Sequence, residues 1–135
     1  MSKYVLVPDS FKGTMTSREI CEIMQRAIER IDHDAKIISV PVADGGEGSV
    51  DAFLSALGGE RKAITVTGPH FEKLSSSYGI TADGTAVIEM SACAGLPLVY
   101  GKKNPEITTT YGVGELICDA ARSGARRIVI GLGGS

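Results

Sequence analysis

The chain has 135 residues, 43% apolar and 22% charged, with a net charge of −2, which suits one modest globular domain able to bury roughly two-thirds of its unfolded surface. The slightly acidic balance argues against nucleic-acid and membrane-surface partners, since both need a basic face. No run approaches the roughly 20 apolar residues of a membrane span, and the short apolar stretch near the N-terminus is broken by Pro8 as no signal peptide should be, so a cytoplasmic protein is expected.

Residues 3–7, KYVLV, read as a short buried strand ended by Pro8, and DSFKGTMT follows as a loop. Thr16-Ser17-Arg18-Glu19 then matches a capping box, in which the threonine hydroxyl takes a backbone N–H and the glutamate reaches back. Ile20, Ile23, Met24, Ala27, Ile28 and Ile31 recur at helical spacing and predict one core-facing stripe. Residues 36–42, KIISVPV, give a second strand, and ADGGEGS leads into a second helix with the stripe Val50, Phe53, Leu54 and Leu57, stopped by Gly58-Gly59. Strands alternating with helices imply a parallel α/β layer.

The pattern then changes. RKAITVTGPH is a third strand broken at Gly68-Pro69, and KLSSSYGIT and TAVIEMSA flank Asp83-Gly84, a strong signal for a tight antiparallel turn. A Rossmann-like lobe over residues 1–64 and the beginning of a second, mixed α/β lobe with an antiparallel hairpin over residues 65–135 are therefore expected. Residues 94–110 read as a loop with at most one helical turn, YGVGELICDAARSGA as a helix stopped by Gly124, and RRIVIGLGGS as a last strand running into glycines. Cys21, Cys93 and Cys118 are too widely spaced for a disulfide framework or a zinc knuckle and are read as reduced packing residues. His33 and His70 stand in polar turns and are read as surface residues.

Four loops carry the chemistry. In PDSFKGTMTS a strand end brings Asp9, Ser10 and Lys12 to a helix N-terminus, where an anion is favoured and Lys12 adds a mobile positive charge; an ordinary capped βα loop would look similar. In PVADGGEGSVDAF, Gly45, Gly46 and Gly48 allow a ligand close to the backbone. Asp44 and Glu47 share that turn. Two like charges suit Mg²⁺ bridging to phosphates, Asp44 also suits a base acting on a hydroxyl, and the plain alternative makes Asp44 a cap and Glu47 a partner of the helix dipole. Thr108, Thr109 and Thr110 precede a helix whose first turn holds Gly112 and Gly114, which exceeds what one cap requires. Gly131, Gly133, Gly134 and Ser135 form the fourth loop. Neither G-x-x-x-x-G-K-[ST] nor G-x-G-x-x-G occurs, so a nucleotide site would be of another type. Loops at the carboxyl ends of parallel strands are where α/β proteins bind ligands. Carboxylates, a lysine and glycine turns fit phosphoryl transfer to a small hydroxylated molecule, and they also fit a non-catalytic metabolite-binding module.

In order, PDSFKGTMTS, PVADGGEGSVDAF, TVTGPH, AVIEMSACAGL, NPEITTTYGVGEL and IVIGLGGS resemble the bacterial glycerate kinase family of the glycerate 2-kinase type, over the whole span from Val5 to Ser135. The resemblance implies a two-lobed cytoplasmic α/β enzyme that phosphorylates D-glycerate with ATP and Mg²⁺, 2-phosphoglycerate being the favoured product. By position it assigns Asp9, Ser10 and Lys12 to the first loop of the family pattern. Asp44, Gly45, Gly46, Glu47 and Gly48 fall on the second, and Thr108 to Tyr111 and Gly131 to Ser135 on the later ones. Lys12 is expected on a phosphate or the glycerate carboxylate, and Asp44 or Asp9 in metal or base work, with Glu47 as a second candidate metal ligand. Family members are considerably longer, so the chain reads as an N-terminal fragment, whose exposed sheet edges would favour self-association. A catalytically inactive α/β fragment, or a module that binds small anions, is the alternative.

Overall fold

The computed structural model describes residues 1–99, 101 and 103–135; the expected loop over residues 94–110 includes Tyr100 and Lys102, which lie outside them. The chain forms two compact units, Met1–Ala43 and Asp44–Ser135.

The first unit is a single βαβ turn. β1 (Lys3–Leu6) and β2 (Lys36–Ser39) run parallel with Lys3 opposite Lys36 and Leu6 opposite Ser39. Parallel neighbours need a long crossover, supplied here by α1 (Ser17–Glu29). Its N-terminus carries the expected capping box: the Thr16 hydroxyl accepts from Glu19 N–H and the Glu19 carboxylate accepts from Thr16 N–H at 2.7 Å. β2 stops before the expected residue 42, because Pro41 has no N–H for a ladder. The apolar stripe of α1 is only partly used. Ile20 and Cys21 are buried, whereas Ile23 and Met24 are exposed and Ile31 lies in the turn beyond the helix. Two short strands are too narrow a platform to cover a stripe of that width.

The second unit is a four-stranded sheet with a helix on each face. Its strands are β3 (Gly59–Thr67), β4 (Lys73–Thr81), β5 (Thr85–Glu89) and β6 (Arg127–Gly131), lying in that order. β3–β4 and β4–β5 are antiparallel and β5–β6 is parallel. The β4–β5 hairpin turns where Asp83-Gly84 predicts it: Gly84 N–H donates to the Thr81 carbonyl at 2.9 Å, and the Asp83 carboxylate accepts from the Thr81 hydroxyl and from Thr85 N–H. The boundary expected near residue 64 falls inside β3, which is paired with β4 along its whole length from Gly59–Thr81 to Thr67–Lys73.

Side chains alternate across a sheet, and the two faces are filled by different helices. α4 (Tyr111–Arg122), the crossover between β5 and β6, covers Val66, Tyr78, Ala86 and Ile88 with Val113, Leu116 and Ala120. α2 (Ser49–Leu57) covers the opposite face, which carries Gly79 and Val87. A Cβ at Gly79 would meet Val50 Cγ1 at 2.9 Å and Leu54 Cγ at 3.2 Å, so glycine there sets how closely α2 approaches. Val50 is fully buried and Leu54 partly, while Phe53 and Leu57 of the expected stripe stay exposed. β5 is buried at every residue, as a strand covered on both faces should be. A short helix, α3 (Ser91–Ala94), and two 3₁₀ turns at Leu96–Leu98 and Pro105–Ile107 occupy the expected long loop. Cys21 and Cys93 pack inside, but Cys118 is exposed, contrary to its reading as a packing residue: it lies on the side of α4 away from the sheet. His33 and His70 are exposed, as expected.

Candidate active site

The strand directions gather four segments at one end of the second unit's sheet. β3, β5 and β6 finish there and β4 starts there, so residues 67–72, 89–99, 103–110 and 131–135 share that end, and residues 44–48 are bonded to the last of these. This is the carboxyl edge of the parallel pair, where α/β sheets leave room for ligands.

Two glycine loops are locked together there. Gly133 N–H donates to the Gly45 carbonyl at 3.0 Å, and Gly45 is in the left-handed conformation with φ 91°. A Cβ on Gly131 would fall on the Gly45 carbonyl oxygen, and one on Gly133 would lie 2.7 Å from the Gly46 nitrogen. Only glycine permits this approach. The 131–135 loop is held from its other side by Met90 N–H on the Gly131 carbonyl and Leu96 N–H on the Gly134 carbonyl, both at 2.9 Å. The Ser135 hydroxyl closes the loop on the Leu132 carbonyl at 2.7 Å. Asp44 Oδ1 accepts from the Gly46 N–H at 3.1 Å. Asp44 and Glu47 are exposed at the rim of this loop. The N-cap of α2 is Gly48, with φ 90° and no side-chain cap, so Asp44 shapes the turn rather than capping the helix.

The threonine loop meets the β3–β4 turn at the same sheet end. Thr109 N–H donates to the buried Pro69 carbonyl at 3.0 Å, and Thr67 N–H donates to Glu115 at 2.5 Å. A Cβ on Gly112 would fall on the Thr67 carbonyl oxygen, which explains that glycine in the first turn of α4. Of the three threonines, Thr109 accepts from Tyr111 N–H at 3.1 Å and does the local capping. Thr108 is half-buried and Thr110 exposed.

Asp9, Ser10 and Lys12 belong to the first unit. Asp9 Oδ1 accepts from Ser10 N–H at 2.7 Å, and Lys12 stands in a tight turn closed by paired Phe11 and Met15 backbones. The loop is anchored by buried Ser17, whose hydroxyl donates to the Pro8 carbonyl at 2.6 Å and accepts from Val42 N–H at 3.1 Å.

Sequence reasoning passed over Glu89. It ends β5, is 8% exposed, and its Oε1 accepts from Val50 N–H at 2.8 Å. Burial pushes its carboxyl above the ordinary glutamate value, against the opposing pull of the Val50 N–H and the Arg61 charge. An acid closing the apolar run AVIE was the signal available. Cys93, nearby, is held inert: burial, with the Glu115 charge, pushes its thiol up to about 11.

A model described as the Glycerate kinase family matches residues 4–135. The chain belongs to the glycerate kinase family. It is 47% identical over 135 residues to the glycerate 2-kinase of Escherichia coli K12, a match covering 98% of this chain and 35% of that protein. It is 45% identical to the glycerate kinase of Bacillus subtilis 168, again across 98% of this chain and 35% of the relative. A crystal structure from Salmonella typhimurium LT2, assigned to glycerate kinase 2, superposes with a TM-score of 0.81 at 38% identity, over 99% of this chain and 36% of that one. The chain thus spans about a third of the length of the relatives it matches. Among the described residues no helix is long and apolar enough to cross a membrane, and no group of three or more histidine, cysteine or acidic side chains is placed to hold a metal ion.

Proposed function

We propose that this chain supplies part of the active site of an ATP-dependent kinase that phosphorylates D-glycerate, with 2-phosphoglycerate as the favoured product. The observation that carries the reading is the Gly133 to Gly45 backbone bond: two largely half-buried glycine turns, closed on each other beside a pair of exposed carboxylates, make a cradle for a polyphosphate. Gly45, Gly46, Gly48, Gly131, Gly133, Gly134 and Ser135 line that cradle, and Thr108, Thr109 and Thr110 offer hydroxyls to the anion or the polyol. Asp44 takes the proton as a glycerate hydroxyl oxygen attacks the terminal phosphorus of ATP, and ADP departs. Ser10 and Lys12 bind the glycerate carboxylate or a phosphate, Lys12 through its charge, and Asp9 is the alternative to Asp44 for base or metal work. Mg²⁺ would neutralise phosphate charge and would need only one or two protein carboxylates. Asp44 and Glu47 would supply those carboxylates, the base then being Asp9. A cytoplasmic setting, and self-association through exposed sheet edges, belong to the same reading.

The test is a coupled assay of ADP release with ATP and D-glycerate. It is run on this chain and on this chain joined to the remaining two-thirds of the Escherichia coli glycerate 2-kinase. Turnover in the joined protein that requires D-glycerate is expected. Binding of D-glycerate without turnover in either would favour the small-anion module, and neither binding nor turnover would overturn both readings.

A further inference from the structure

We propose that Glu89 is a positioning residue that holds the Asp44–Gly48 loop in shape by standing in for the missing N-cap of α2. The inference rests on the kinase reading only in assigning that loop to phosphate chemistry.

α2 starts at a left-handed glycine and no side chain from its own preceding turn caps it. The first N–H groups of a helix need acceptors, and Glu89 provides them from the sheet. Its carboxylate accepts from Val50 N–H at 2.8 Å, across 39 residues of sequence, and the Gly48 backbone also favours its ionised form. A carboxylate at a helix N-terminus meets the positive end of the dipole, and charge-assisted bonds are the strong kind. Left without those donors, a buried carboxylate would be expensive to keep ionised. The end of β5, the start of α2 and the glycine turn before it are therefore coupled. The same residue pairs in register with Gly131, two residues before Gly133, which holds the Gly45 carbonyl. One side chain thus stands between the start of α2 and the strand end beside which the 131–135 loop leaves the sheet. The charged groups acting on it are Arg61 of β3, which favours its ionised form, and Asp51 of α2, which opposes it.

The test uses the isotopically labelled 135-residue chain without substrate. Amide shifts of Gly48 and Val50 are followed through the carboxyl range of pH, and amide exchange of Gly46 and Gly133 is compared among wild type, Glu89→Gln and Glu89→Leu. Both shifts are expected to titrate with one midpoint in wild type and to lose that titration in Glu89→Gln. Exchange at Gly46 and Gly133 should quicken about tenfold in Glu89→Gln and further in Glu89→Leu, since one or both acceptors are lost. Tyr78 and Leu116 amides should keep their protection, separating loop release from general loosening. A folded variant with unchanged exchange at Gly46 and Gly133 would overturn the proposal. If the variants do not fold, the wild-type titration decides alone, and flat Gly48 and Val50 shifts would overturn it. No readout involves turnover, so failure of the D-glycerate assay leaves this result standing, and the reverse holds equally.

Discussion

Gly133 donates its backbone N–H to the Gly45 carbonyl at 3.0 Å, with no room for a side chain on Gly133 and a left-handed backbone at Gly45. Gly133→Ala would place a Cβ 2.7 Å from the Gly46 nitrogen. The expected outcome is separation of the two turns at a stability loss of about 1–3 kcal/mol, the usual range for overpacking. Gly114, where a Cβ meets nothing within 4 Å, is the control: Gly114→Ala should hold or raise the thermal midpoint. Equal midpoints for the two variants would show that the turns are not locked.

Asp44 separates chemistry from stability. In the joined protein, Asp44→Asn should lower kcat far more than it lowers Tm, because a lost base or metal ligand removes transition-state stabilisation. Asn keeps an oxygen for the Gly46 N–H that Asp44 now holds. Unchanged kcat would remove Asp44 from the chemistry.

Glu89 gives a pH dependence with a definite sign. Its carboxyl is raised from the ordinary 4.5, chiefly by burial, so the folded chain holds that proton more tightly than the unfolded chain. The associated stabilisation is fully present below the unfolded value and is lost as pH rises through the folded one. Thermal midpoints across that window should fall less steeply with rising pH in Glu89→Gln than in wild type. Parallel curves would refute the assignment.

Tyr78 tests the other end of the sheet. Its ring is fully buried, and its hydroxyl donates to Asp119 Oδ2 at 2.7 Å, where Lys62 Nζ also lies at 2.8 Å. Tyr78→Phe keeps the packing and removes the hydroxyl's bonds to Asp119 and Ser123, so a loss of about 1–2 kcal/mol is expected in denaturant unfolding. Asp119 is held below the ordinary aspartate value first by Lys62 and then by Tyr78. Its carboxyl should therefore move up in the variant while remaining lowered.

Phe71 sits at φ 64° and is 68% exposed, the one left-handed residue other than glycine among the described residues. Little burial is lost on substitution. Phe71→Gly should leave stability unchanged or raise it by about 1 kcal/mol, the strain of a left-handed L-residue offset by added chain entropy. A clear fall in midpoint would mean that the ring packs in solution.

Much of this was legible in the residues themselves. Thr16 and Glu19 announced the start of α1, Asp83-Gly84 the hairpin, and Gly45, Gly48 and Gly134 the special turns, because caps, tight turns and left-handed backbone depend on neighbours in the chain. The order of the motifs also carried the family. The pairing of distant segments was not legible. Sequence alone could not say that Gly133 would meet Gly45, that Gly79 would admit Val50, or that Glu89 would cap α2, since each contact joins residues brought together only by sheet register and helix placement. Nor could it say that Ile23, Met24 and Cys118 would stay exposed. Periodicity shows which face of a helix is apolar, and only the width of what packs beneath decides how much of that face is buried.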